Sequence, residues 1–161
     1  MRESMARLTP QFAASRTVRE YTEKHYIPAA EAFRQRSEQN GQIGKEIAAW
    51  QQALSQQWEG IKFVQTKVTT QNGQHQFSVS VYLNGVDPQA VTVQLYAEHA
   101  NGDASLHLKM ERMDPQTAPH TFEYKINVPA NRPATDFTPR LIPFKEGVSV
   151  PLENPHILWQ H

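Results

Sequence analysis

The 161-residue chain sets 16 Lys and Arg against 16 Asp and Glu, so no net field draws it to nucleic acid or to an anionic membrane. It has no cysteine, which excludes disulfides, thiolate nucleophiles and Cys-ligated zinc. No apolar run approaches the ~18–20 residues that span a bilayer, and the charged N-terminus lacks a secretory signal, so a cytoplasmic protein is expected.

The first part of the chain reads as helical. Residues 2–8 suit the last turns of a helix, and Thr9-Pro10 breaks it, because a residue before proline is pushed out of the α region. Ser15 or Thr17 can cap the next helix, and Thr17-Val-Arg-Glu20 has capping-box spacing. Val18, Tyr21 and His25 make one apolar-leaning stripe. Pro28 kinks or restarts this helix, and Asn40-Gly41 marks a turn. Residues 42–59 form a further helix with a narrow stripe of Ile43, Ile47, Trp50, Leu54 and Trp58. That stripe needs a partner surface.

Composition changes near Gly60, and the expected boundary separates a helical segment, 1–59, from an all-β domain, 60–161. An early strand is expected over 62–70. Phe77, Val79, Val81 and Leu83 alternate with Ser78, Ser80 and Tyr82, which is a half-buried strand. Val91, Val93 and Leu95 repeat the pattern, as do Leu106, Leu108 and Met110, then Phe122, Tyr124, Ile126 and Val128. Irregular strands are expected over 137–144 and 156–159. Asn72-Gly73, Asn84-Gly85 and Asn101-Gly102 are turn dipeptides. The expected fold class is α+β in sequence order: a helical segment, then a mainly antiparallel immunoglobulin-like β-sandwich.

No catalytic, cofactor-binding or metal-binding residue stands out. The seven histidines show no H-E-x-x-H and no His-x-His spacing, and read as scattered surface residues. No G-x-S-x-G elbow occurs, and Ser78 and Ser80 read as the polar face of a strand. Carboxylate pairs could be drawn from Asp87, Asp103, Glu111, Asp114 and Glu123, with no motif to narrow them. Asp87-Pro88 and Asp114-Pro115 are turn-forming contexts. Among aromatic residues, Tyr82, Tyr96, Phe144 and Trp159 could present flat faces to a sugar. Tyr82 is out of phase with its strand's core face and is the better exposed candidate; Trp159 reads mainly as packing. Trp50 and Trp58 read as core.

Two blocks of sequence carry a family resemblance. The first is Ser4-Met-Ala-Arg-Leu-Thr-Pro-Gln-Phe12 with Val18-Arg-Glu-Tyr21 and Tyr26-Ile-Pro-Ala29. It resembles the closing part of the catalytic domain of bacterial α-glucan (glycogen, maltodextrin) phosphorylases. The second runs from Trp58 through Tyr82-Leu83, Val91-Thr-Val-Gln-Leu-Tyr96 and Asp136-Phe-Thr-Pro-Arg-Leu-Ile-Pro143 to Ile157-Leu-Trp159. It is similar to the extra C-terminal domain found on some of those enzymes.

The resemblance implies a C-terminal fragment of a glycosyltransferase that uses pyridoxal phosphate to release glucose 1-phosphate from α-1,4-glucan. It implies a partner, the remainder of the catalytic domain. The family's cofactor lysine lies in a Gly-Thr-Gly-Asn-containing motif that is missing here, so no cofactor residue transfers and the chain alone is expected to be inactive. The alternative is a non-catalytic sandwich that binds α-glucan or a subunit, with Tyr82 and Trp159 as weak carbohydrate contacts. A stand-alone immunoglobulin-like adaptor with a helical hairpin is a third reading.

Overall fold

The computed structural model describes residues 14–98 and 105–161, and of residues 114–117 the backbone alone. The expected helix over 2–8, the Thr9-Pro10 break, the Asn101-Gly102 turn, His99 and Asp103 lie outside the described residues. The chain divides into two compact units, Met1–Glu46 and Ile47–His161.

The first unit is helical. Helix α1 spans Ala14–Tyr21 and a π-helical turn follows over Thr22–Tyr26. Helix α2 spans Ile27–Gln57 and continues the π-helical turn directly, since Tyr21 and Ile27 on either side of that turn have helical φ and ψ; Pro28 thus follows the π-turn within a continuous helical path rather than starting a helix. Its regular geometry breaks at residues 38–41, where Gln39, Asn40 and Gly41 have φ of 51°, 60° and 74°. The expected Asn40-Gly41 turn is therefore present: three successive left-handed residues separate a helix that ends near residue 38 from a second that runs on to Gln57. No described residue of 14–46 is buried. Val18, Tyr21, Tyr26 and Phe33 are 63%, 54%, 65% and 72% exposed.

The second unit opens with the last turns of α2 and a 3-10 turn over Trp58–Gly60. Among the described residues eight strands follow: β1 Lys62–Gln71, β2 Gln74–Tyr82, β3 Val91–Ala97, β4 Leu106–Lys109, β5 Glu111–Ala118, β6 Thr121–Pro129, β7 Phe137–Pro143 and β8 Leu158–Trp159. They form two four-stranded sheets, in the orders β1-β2-β6-β5 and β4-β3-β7-β8, with every neighbouring pair antiparallel. Asn72 (φ 51°) and Gly73 (φ 72°) turn β1 into β2, and Asn84 (φ 52°) and Gly85 (φ 84°) close a turn through Val86 N–H to Leu83 C=O. Positive φ at both central residues is what Asn-Gly supplies.

Alternation explains the core. Phe77, Val79 and Val81 of β2 and Val93, Leu95 and Ala97 of β3 are essentially inaccessible, and they share one apolar cluster with Val128 of β6 and Leu141 of β7. The inner faces of both sheets thus pack on each other. From the α2 stripe, Leu54 joins this cluster and Trp50 and Trp58 pack against it. Burying a side chain such as Leu54 stabilises by roughly 1.5–3 kcal/mol. Asn84 Nδ2 donates to the Gln57 carbonyl at the helix end, 3.0 Å away. Gly60 allows that approach, since a Cβ there would collide with the Asn84 amide.

One strand departs from the sequence reading. Asp114-Pro115 lies inside β5 rather than in a turn. β5 is the edge of its sheet, where proline's missing N–H is tolerated, and its register with β6 shifts between Met113 and Ala118. Among the described residues no helix is long and apolar enough to cross a membrane.

Candidate functional site

The outer faces of the two sheets carry different chemistry. On the β1-β2-β6-β5 sheet, Ser78 Oγ donates to Glu123 Oε1 at 2.6 Å, and Lys125 Nζ lies 3.3 Å from the same oxygen. The Ser78 hydrogen bond holds the Glu123 carboxyl below the usual carboxylate range; burial opposes this, and Lys125 and Lys67 add to the lowering. Tyr82 stands at the end of β2 on this outer side and is half-buried. The Lys62 ammonium sits 5.7 Å from its ring centre, and the His120 ring meets it edge-on at 6.4 Å.

On the β4-β3-β7-β8 sheet, strand register aligns Lys109, Gln94, Arg140 and Trp159 in one row and His107 and Tyr96 in the next. Arg140 is the centre. Its Nε and Nη2 donate to Gln94 Oε1 at 3.1 and 2.8 Å. Its guanidinium carbon lies 5.0 Å from the Tyr96 ring and 5.3 Å from the Trp159 ring, and those two rings meet edge-on at 5.1 Å. A guanidinium over aromatic faces gains electrostatic attraction, more so when desolvated. Burial pushes the Arg140 pKa down, and burial and then Arg140 push that of His107 down. His107 stacks at 5.4 Å on Tyr96.

Tyr82 and Trp159 therefore sit on different sheets and form no common platform. Trp159 is clasped by Arg140 and Tyr96. Sequence pattern alone does not single out Arg140 or Gln94, although both lie in the strings that carry the family resemblance. The signal that links them is the shared register of β3, β7 and β8, which no local pattern reveals.

Asp87 and His75 take structural roles. Asp87 Oδ1 accepts from Gln89 N–H at 2.8 Å and caps a 3-10 turn. His75 is buried rather than on the surface. Its Nε2 faces the Arg132 carbonyl at 2.9 Å, which can only accept, so Nε2 carries the proton and Nδ1 accepts from the Thr70 hydroxyl at 2.7 Å. Among the described residues no three His, Asp or Glu side chains converge to hold a metal.

Fold and site together define a class: a helical segment joined to a two-sheet antiparallel domain whose polar clusters brace strands. Comparison with known proteins places it further. The chain is similar to a portion of the glycogen phosphorylase of Mycobacterium tuberculosis (strain ATCC 25618 / H37Rv), 30% identical over 100 residues, which is 58% of this chain and 12% of that protein. It is also similar to a portion of the maltodextrin phosphorylase of Thermococcus litoralis, 27% identical over 96 residues, 60% of this chain and 11% of that protein. The chain thus spans about an eighth of the length of these relatives. No family model matches the chain. No solved structure matches it at a significant level.

Proposed function

We propose that this chain is the C-terminal, non-catalytic part of an α-glucan phosphorylase, and that residues 14–46 are an interface for the rest of that enzyme's catalytic domain. In the whole enzyme, pyridoxal phosphate and inorganic phosphate serve the release of glucose 1-phosphate from α-1,4-glucan ends. The observation that carries the reading is the helical unit itself: aromatic and aliphatic side chains such as Tyr21, Tyr26 and Phe33 are more than half exposed, and no described residue of 14–46 is buried. An amphipathic helical unit gains most of its stability by packing an apolar face, so this one needs a covering body. The partial similarity to phosphorylases supplies a candidate for that body.

We place the cofactor-binding lysine outside this chain. A lysine that forms a Schiff base is activated by desolvation or by a neighbouring cation, and no lysine here is buried. The second unit reads as an immunoglobulin-like sandwich, because sheet orders β1-β2-β6-β5 and β4-β3-β7-β8 correspond to A-B-E-D and C′-C-F-G of that fold. A cytoplasmic location accords with the lack of cysteine.

The purified chain, supplied with glycogen, inorganic phosphate and pyridoxal phosphate, is expected to release no glucose 1-phosphate. Release of glucose 1-phosphate would overturn the reading.

A further inference from the structure

The chain leaves one sheet for the other between β4 and β5, and that crossover opens a cleft. β4 pairs only with residues 94–97 of β3, so among the described residues 91–93 have no neighbouring strand on that side; the Met110 N–H reaches across to the Val93 carbonyl at 2.9 Å. The cleft beside this stretch has a volume of about 680 Å³. That size falls within the ~300–1,000 Å³ of small-molecule sites. Its walls are mainly apolar, with Pro88, Val91, Val93, Met110 and Phe144 among them. Phe144 is 49% exposed and so offers an open ring face.

The charged and hydroxyl groups of the cleft are weighted toward donors. Strand register sets Arg112 of β5 opposite Tyr124 of β6, a member of the buried cluster, and the Arg112 guanidinium lies 5.9 Å from the Phe122 ring. Lys109, at the end of β4, adds a second cation at the rim, 5.6 Å from the Phe144 ring centre. Glu111 is the one carboxylate lining the cleft, and it stands opposite Lys125 in register. Two cations thus face one anion. Tyr124 is 4% exposed, and its hydroxyl has no hydrogen-bond partner among the described residues. Burial pushes its pKa up to about 12, with Arg112 acting the other way, so the phenol keeps its proton at neutral pH and can donate it. A buried hydroxyl without a partner is rare in native proteins and marks a place for a group that completes it.

Two cations and a phenol hydroxyl beside an apolar wall fit a single carboxylate carried on an apolar body. An excess of one positive charge suits a monoanion, whereas Glu111 opposes the second charge of a phosphate dianion. Donation to a carboxylate by the phenol and the guanidinium is charge-assisted, and the apolar body gains by leaving water against Val91, Met110 and Phe144. We propose that the cleft between Phe144 and the β4–β5 crossover binds a small organic monocarboxylate with an apolar tail, its carboxylate held by the Tyr124 hydroxyl and Arg112, with Lys109 at the rim. The site is assigned from the cleft alone and does not rest on the phosphorylase reading. It differs from Tyr82 and Trp159, which are the aromatic positions the sequence favoured.

The test is a titration of the ¹⁵N-labelled 161-residue chain with octanoate, read by amide shifts and run beside 1-octanol and inorganic phosphate. Octanoate is expected to give saturable shifts at residues 91–93, 109–112, 124 and 144, and to bind there more tightly than either of the other two probes. Tyr124→Phe deletes the hydroxyl and keeps the ring, so the core stays filled. It is expected to weaken octanoate binding by about tenfold, the effect of losing one charge-assisted hydrogen bond. Arg112→Gln is expected to weaken it by a similar factor and Lys109→Gln by a smaller one, while Tyr82→Ala leaves affinity unchanged. No saturable shift with octanoate, shifts centred on the exposed apolar side chains of residues 14–46, binding of 1-octanol or phosphate as tight as that of octanoate, or an unchanged affinity in Tyr124→Phe would each overturn the proposal.

Discussion

Phe33 in α2 is 72% exposed and Phe77 in β2 is 1% exposed. The side chain is the same in both places, yet only the second unit closes a core over it. Residues 47–161 hold two sheets whose inner faces cover each other, with Leu54 added from the helix. Residues 14–46 bury nothing. The contrast teaches that the second unit is specified from within, whereas the described residues of 14–46 leave their apolar side chains uncovered. Local ties such as Arg16 to Glu20 at 3.2 Å do not change this, since exposed i,i+4 pairs contribute only ~0.3–0.5 kcal/mol.

Hydrogen exchange on the intact chain gives the largest contrast. Amides of Phe77, Val79 and Val81 should exchange only through global opening, with protection of the ~5–15 kcal/mol typical of a folded domain. Amides of residues 14–46 should exchange through local openings of far lower free energy. Equal protection in both units would break the comparison.

Core truncation comes next. Phe77→Ala should cost ~3–5 kcal/mol in denaturant unfolding, the transfer and cavity cost of a buried phenylalanine. Phe33→Ala should stay within ~0.5 kcal/mol. A large loss at Phe33 would mean that the chain itself covers the helical face.

A smaller effect is expected at the helix-to-sheet junction. Gly60→Ala drives a methyl into the Asn84 amide that caps the Gln57 carbonyl. A loss of ~1–3 kcal/mol is expected, as for other forced overpacking. No change in stability would show that Asn84 swings away without penalty.

The smallest effect is one of pH. Glu123 titrates below the ordinary carboxylate range chiefly because of Ser78. A depressed folded-state pKa contributes stability above the unfolded value, and that contribution is lost as pH falls through the folded value. Ser78→Ala should raise the Glu123 midpoint toward that of a free carboxylate, measured by NMR titration. An unmoved midpoint would assign the shift to Lys125 and Lys67 instead.

Much of the second unit could be read from local pattern. Period-2 alternation at Phe77, Val79 and Val81, and at Val91, Val93 and Leu95, marks inner faces because those side chains are all buried. The Asn-Gly pairs at 72–73 and 84–85 turn where expected, since both residues take positive φ. β5 escaped because an edge strand tolerates the proline that otherwise signals a turn. The Arg140 row escaped because its members come from strands far apart in sequence. Phe144 reads in the sequence as an aromatic face, but the cleft beside it depends on β4 pairing only with residues 94–97 of β3. Such a gap is a property of sheet pairing, which sequence patterning does not encode locally.

The central claim, that this chain completes a larger α-glucan phosphorylase, is tested most directly by sequencing the DNA immediately upstream of the Met1 codon. The account predicts an open frame that continues into a Gly-Thr-Gly-Asn-containing lysine motif. An in-frame stop codon followed by a ribosome-binding site before Met1 would contradict it.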